Sequence, residues 1–333
     1  VVTVSDRGYL KRVPLETHRV QGRGGRGVTG MGTRDEDVVG HLIVCDTHDS
    51  LLMFTRNGKV FSLKGYEVPE ASRQARGLPV VNLIEMDIED GVTAVEVITD
   101  FGRDSMLLAT DHGEVKRTPL KQFESVRRAG LIAMKLKTGD SLRAARAASE
   151  SNDAILISSD GQAMRFNVGA LRVASRASGG VRGMKLRANA EVMGLVIDID
   201  GDDLLVVTAR GLGKRTPISE YPSKGRGGQG VQTFRINDRT GPISIAANVL
   251  ADEELILVSA EGIVMRTRAD TISQQGRSTQ GVQVMNIGAG DRVASLGRID
   301  LGAGTGGDFD TATQGTLDGD DADGDPEGDE AAE

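Results

Sequence analysis

The chain has 333 residues, 38% of them hydrophobic, which is ample for a large buried core, and no run of 18 apolar residues that could cross a membrane as a helix. A single cysteine, Cys45, excludes an intrachain disulfide and fits a reducing cytoplasmic compartment. The net charge of −8 argues against a polyanionic partner only until its distribution is read, because 11 of the 48 acidic residues fall in residues 301–333, which carry no Lys or Arg. Residues 1–300 hold 40 cations against 37 anions, a net of +3.

The chain opens on an apolar strand, Val1-Val2-Thr3-Val4, without an initiator methionine or a leader, and is expected to be a piece of a longer polypeptide. From there a motif of apolar run, polar turn, glycine and basic strand recurs. It reads Asp6-Arg7-Gly8-Tyr9-Leu10-Lys11-Arg12 in a first repeat of about residues 1–50, and Arg56-Asn57-Gly58-Lys59-Val60 in a second of 51–104. It returns as Asp111-His112-Gly113-Glu114-Val115-Lys116-Arg117 in 105–152 and Ser159-Asp160-Gly161-Gln162-Ala163-Met164-Arg165 in 153–203. The last copies are Ala209-Arg210-Gly211-Leu212-Gly213-Lys214-Arg215 in 204–254 and Ala260-Glu261-Gly262-Ile263-Val264-Met265-Arg266 in 255–300. The anchoring glycines lie 50, 55, 48, 50 and 51 residues apart, and a second glycine (Gly27, Gly77, Gly130, Gly180, Gly230, Gly281) follows each by 19, 19, 17, 19, 19 and 19. Two anchors keeping step through six copies mark an internal repeat.

Each unit reads as four strands, in the second copy Leu51–Thr55, Lys59–Leu63, Leu78–Ile84 and Val92–Ile98, joined by turns whose Asn-Gly and Asp-Gly pairs suit hairpins. No amphipathic helix interrupts them. Six four-stranded units closing in a circle leave no long exposed edge, so the expected fold is all-β, a six-bladed propeller-like disc.

The cations keep the same period. Four residues after the anchoring glycine stand Arg12, Ser62, Arg117, Arg165, Arg215 and Arg266, with Lys11, Lys116 and Lys214 immediately before three of them. The loop before the second glycine carries Arg19, Arg23 and Arg26, then Arg73 and Arg76, Arg127 and Arg128, Arg172 and Arg176, Lys224 and Arg226, and Arg277. Equivalent positions of a closed disc face equivalent directions, so a rail of cations around a bent phosphate backbone is expected. Exposed strand positions also carry Arg and Lys for solubility and edge protection. Duplex is favoured over single strand, because no Trp, three Tyr and seven Phe make a poor stacking platform. Base-specific reading lacks a recognition helix.

Gln21-Gly22-Arg23-Gly24-Gly25-Arg26-Gly27 in the first repeat allows a tight loop whose amides and two arginines approach a phosphate. It resembles the gyrase box, Q-R-R-G-G-K-G, of the DNA gyrase A C-terminal domain family. Gln21, Arg23, Gly24, Gly25 and Gly27 match, Arg26 replaces Lys, and Gly22 stands where a basic residue is usual. Gly8 to Arg12, Val68 to Arg73 and Lys214 to Pro222 are similar to that family too, and Lys224-Gly225-Arg226-Gly227-Gly228-Gln229-Gly230 forms a second, degenerate box. The resemblance implies a β-pinwheel, in which neighbouring blades exchange a strand. It implies a domain that wraps duplex DNA in a positive sense and directs ATP-dependent negative supercoiling by the whole topoisomerase. The partners implied are duplex DNA, the remainder of gyrase A and, through it, gyrase B, in the bacterial cytoplasm at the nucleoid. The catalytic tyrosine and the ATP and Mg²⁺ sites of the enzyme would lie outside this chain, leaving this fragment non-catalytic, with no cofactor and no metal of its own. The related topoisomerase IV domain lacks a good box. A propeller scaffold for acidic protein partners, or a propeller enzyme, are the competing classes.

Among residues that invite other readings, Cys45 and His48 lack a second pair for zinc, and Cys45 is expected in a buried strand, Leu42–Cys45. Residues 301–333 have the composition of an acidic disordered tail. A solvating role and a fold-back onto the basic perimeter both fit it, and its calcium-loop mimicry from Asp323 lacks flanking helices.

Overall fold

The computed structural model describes residues 1–5, 8–14, 28–29, 39–72, 75–102, 104–198 and 203–299. Of the two units into which the chain divides, Val1–Leu301 holds all of these residues and Gly302–Glu333 none. The first repeat forms β1 (Val2–Ser5), β2 (Tyr9–Arg12), β3 (Val28–Thr29) and β4 (Val39–Ile43), and the second β5 (Ser50–Thr55), β6 (Lys59–Lys64), β7 (Leu78–Pro79) and β8 (Val92–Ile98). The third forms β9 (Ser105–Thr110), β10 (Glu114–Pro119), β11 (Leu131–Ile132) and β12 (Leu142–Ala148). The fourth forms β13 (Asp153–Ser158), β14 (Gln162–Asn167), β15 (Val181–Arg182) and β16 (Val192–Ile197). The fifth forms β17 (Asp203–Thr208), β18 (Leu212–Pro217), β19 (Val231–Gln232) and β20 (Ile243–Val249), and the sixth β21 (Glu254–Ser259), β22 (Ile263–Arg268), β23 (Val282–Gln283) and β24 (Val293–Ile299).

The sheets are six, all antiparallel and four-stranded, and each borrows a strand. The first blade runs β4-β1-β2-β7 and the second β8-β5-β6-β11, and so on round the disc until β3 joins the sixth as β24-β21-β22-β3. Every repeat thus gives its short strand to the preceding blade, and the circle is closed by pairing. The exchange is the arrangement the resemblance implied and residue periodicity left open. The third strand expected at Leu78–Ile84 is shorter than expected. Only Leu78–Pro79 pairs, because the Val80 amide turns to the Gly8 carbonyl at 2.6 Å and Val80–Asn82 winds into a 3-10 turn.

Glycine at the first anchor has two causes. All six anchors hold φ between 76° and 85°, the left-handed region that closes the hairpin between the first and second strands of a repeat. The anchor carbonyl then accepts the chain leaving the exchanged strand: the Ala133 and Met134 amides donate to Gly58 O at 2.8 and 3.1 Å, and those of Val284 and Met285 to Gly211 O at 2.8 and 3.2 Å. A Cβ on Gly58 would stand 2.5 Å from the Met134 carbonyl.

The core lies between blades. Strand β5 is buried at all six positions and serves two neighbours by its alternation. Leu52 and Phe54 join Met106, Leu108 and Phe123 of the third repeat, while Leu51 and Met53 join Val2, Val4 and Leu10 of the first. Strands β4, β8, β12, β16, β20 and β24 contact one another in a closed circuit about the axis. The exchanged strands occupy the opposite edge of every sheet, so they and the loops leading into them form the perimeter. Cys45 lies two residues beyond the end of β4, half-buried against the core, and not within a strand as expected.

Candidate nucleic-acid interface

The basic positions separate into an inner and an outer set. Lys11, Lys116 and Lys214 were expected on an outward rail, yet they are 0%, 2% and 0% exposed. Lys116 Nζ donates to the carbonyls of Ala133, Ser175, Arg176 and Ser178 at 2.6, 3.3, 2.5 and 3.1 Å. Lys214 Nζ meets the carbonyls of Gly276 and Arg277 and the hydroxyl of Thr279 at 2.5, 2.6 and 3.0 Å, and Lys11 Nζ those of Ser72 and Ala75 at 3.2 and 2.9 Å. Each ammonium therefore sits inside the loop of the following repeat. Burial pulls the Lys116 and Lys214 ammonium groups down to about 8, with Arg176 adding to the effect on Lys116. For Lys214, Glu220 opposes that pull and Arg277 adds to it.

The arginines four residues past the anchor are also turned inward, and the reason is ion pairing and capping. Arg215 is 8% exposed, bonding the Ile272 carbonyl and Asp203 at 2.9 and 2.6 Å. Arg165 pairs with Asp153 and Asp198 and donates to the Ile218 and Tyr221 carbonyls at 3.0 and 3.3 Å. Arg12 reaches the Val68 carbonyl at 3.2 Å, Arg117 pairs with Glu150, and Arg266 with Glu254. Val68, Ile272 and Tyr221 end 3-10 turns of the next repeat, so these guanidinium groups cap carbonyls across a blade boundary. These partners hold the guanidinium groups expected on a phosphate rail against the protein's own carbonyls and carboxylates.

The loop cations differ from one another. Arg127, Arg128, Arg172, Lys224 and Arg226 are exposed, although Arg128 pairs with Glu67 at 2.5 Å and Arg226 donates to the Arg182 carbonyl at 2.9 Å. Arg76, Arg176 and Arg277 are half-buried. Arg76 lies 3.6 Å from the Tyr9 ring centroid, and Arg176 donates to the Ile132 carbonyl at 2.6 Å. The box residues Gln21, Arg23, Gly24, Gly25, Arg26 and Gly27, together with Arg19 and Arg73, lie outside the described residues.

The structure adds cations the sequence reading missed. Lys135, Lys185 and Arg235 are exposed, each five residues past its second glycine. Their amides bond the next repeat's loop, at Ser178 O, Gly228 O and Thr279 O at 3.0, 2.8 and 3.0 Å. Their period was visible in the sequence, but only the exchanged strand shows that they stand beside the next blade's loop. Arg182 and Lys185 also border a pocket of about 530 Å³ with His112, Arg187, Asn189 and Glu191, next to the second box, whose Gly227 amide donates to Gly183 O at 2.6 Å.

A family model described as DNA gyrase C-terminal domain, beta-propeller, matches residues 1–46, 49–98, 104–149, 152–197, 202–244 and 253–300. The DNA gyrase A protein of Staphylococcus epidermidis (strain ATCC 12228) is 40% identical over 303 residues, 90% of this chain and 34% of that protein, and that of Staphylococcus aureus (strain NCTC 8325) is 39% identical over the same shares. The chain thus spans about a third of the length of these relatives. A solved DNA gyrase A C-terminal domain superposes with a TM-score of 0.83 at 26% identity, covering 90% of this chain and 99% of that one. The C-terminal domain of DNA topoisomerase IV shares the fold, with a TM-score of 0.69 at 23% identity over 90% and 92% of the two chains. Six matched repeats, agreement with gyrase A proteins along nine-tenths of its length and a fold shared with a solved gyrase A C-terminal domain place the chain in the DNA gyrase A C-terminal domain family.

Proposed function

We propose that this domain binds duplex DNA without regard to sequence and wraps it around its perimeter. It thereby serves the remainder of gyrase A and, through it, gyrase B in ATP-dependent negative supercoiling, as a non-catalytic part of a type II topoisomerase in the bacterial cytoplasm at the nucleoid. The observation that carries this reading is the succession of exposed cations on the outer edge of consecutive blades: Arg127 and Arg128, Lys135, Arg172, Arg182 and Lys185, Lys224 and Arg226, and Arg235. The box residues Gln21 to Gly27 are proposed to extend the same track. Smoothly bending a site of 20–30 base pairs by 40–90° requires roughly 1–6 kcal/mol, so contacts spread over several blades can offset what one blade could not.

The test is retardation of mixed-sequence linear duplex by the full chain at two salt concentrations. With roughly 6–10 phosphates neutralised, affinity falls by about 10³–10⁵ between 50 and 200 mM salt. A flat salt response would refute the proposal.

A further inference from the structure

The third residue past the anchoring glycine alternates around the disc as Lys11, Phe61, Lys116, Met164, Lys214, Met265. The lysines are buried and are bonded by the loops of repeats two, four and six, whose carbonyls turn inward to the ammonium. The loops of repeats three and five rest on the apolar members instead. Two carbons of the Phe61 ring lie 2.7 and 2.8 Å from where a Cβ on Gly130 would stand, and the Met164 methyl lies 3.4 Å from the same position on Gly228. An ammonium fixes the direction of each carbonyl it meets, whereas an apolar seat is non-directional.

The loop cations follow the same alternation. Within the five residues before the second glycine, the locked loops carry the half-buried Arg76, Arg176 and Arg277, while the unlocked loops carry the exposed Arg127, Arg128 and Arg226. Lys224, one residue earlier in the unlocked loop of repeat five, is exposed as well, and so is Arg172 of repeat four, which stands eight residues before Gly180, ahead of the Ser175, Arg176 and Ser178 carbonyls that hold Lys116. We propose that the wrapped duplex is gripped by the loops of alternate repeats, three and five among the described residues, and that the lysine-locked loops between them are fixed spacers that tie blade to blade. This rests on the DNA-wrapping reading above and sharpens it. The phosphodiester backbone is held at separated points by loops able to adjust, and the duplex bends between them.

The test compares salt slopes of full-chain variants on mixed-sequence linear duplex. Arg127→Gln with Arg128→Gln, and Lys224→Gln with Arg226→Gln, are each expected to lower the slope by about 2, at roughly 0.9 per lost phosphate contact. Arg76→Gln with Arg277→Gln is expected to leave it unchanged. Because half-buried arginines can matter to folding, the wild-type chain is also treated with phenylglyoxal with and without DNA. DNA is expected to protect Arg127, Arg128 and Arg226 and to leave Arg76 and Arg277 at their DNA-free rates. Equal slope losses, or equal protection, across both loop classes would overturn the alternation while leaving wrapping intact. A wild-type chain that does not retard duplex would overturn both.

Discussion

Replacing Lys116 and Lys214 by methionine, the residue two other repeats use at the same place, should remove a specific pH dependence from the stability of the domain. Both ammonium groups are held near 8 by burial, against an ordinary lysine value of 10.5. Below about pH 8 the folded and unfolded chains both carry the proton and these groups give no slope. Between there and 10.5 the unfolded chain binds more protons than the folded one, so stability rises with pH. Each pH unit in that window is worth about 1.4 kcal/mol per lysine, so from pH 8 to pH 10 the ceiling is roughly 3 kcal/mol for each. The carbonyls around each Nζ favour the charged form and hold the gain below that ceiling. Urea unfolding of wild type and of Lys116→Met with Lys214→Met across pH 7 to 10 measures it, and subtracting the two curves cancels groups common to both. The wild type should gain on the variant as pH rises past 8. A difference that stays constant, or moves the other way, would refute the claim that these lysines are penalised by burial.

Other perturbations separate causes that look alike in the sequence. Gly58→Ala meets a left-handed φ of 77° and the Met134 carbonyl at 2.5 Å, whereas Gly139→Ala meets the same φ of 77° with nothing within 4 Å. Urea denaturation should show a loss of about 3–5 kcal/mol for the first and about 1–2 for the second. Arg215→Met leaves the buried Asp203 without its guanidinium and should destabilise by about 3–5 kcal/mol, while Arg268→Met at the exposed pair with Asp270 should leave stability nearly unchanged. Arg23→Ala with Arg26→Ala should weaken the change in plasmid linking number more than it weakens retardation of a short linear duplex.

The disc itself was legible, because both glycine anchors recur through all six repeats and each anchor has a local cause in its own residue. The exchange of strands was not. Leu78, Val181 and Val231 look like ordinary strand residues in their own repeats, and only pairing to the preceding blade tells which sheet they serve. The inward placement of Lys11, Lys116, Lys214 and their neighbouring arginines was hidden for the same reason. In an isolated hairpin a basic residue on a short strand faces solvent. Here the next repeat's 3-10 turn and loop close over it and supply carbonyls, so the charge is consumed inside. The exposed Lys135, Lys185 and Arg235 were missed for the converse reason: only the exchanged strand sets each of them beside the next blade's loop.

The central claim is that the perimeter bends duplex DNA around the disc. Its most direct test is the linking number of relaxed closed-circular plasmid, bound by the full chain, treated with a relaxing topoisomerase and then stripped of protein. Positive wrapping predicts topoisomers shifted to positive linking difference, growing with protein concentration and lost at high salt. An unshifted or negatively shifted distribution, at concentrations that fully retard the same DNA, would contradict it.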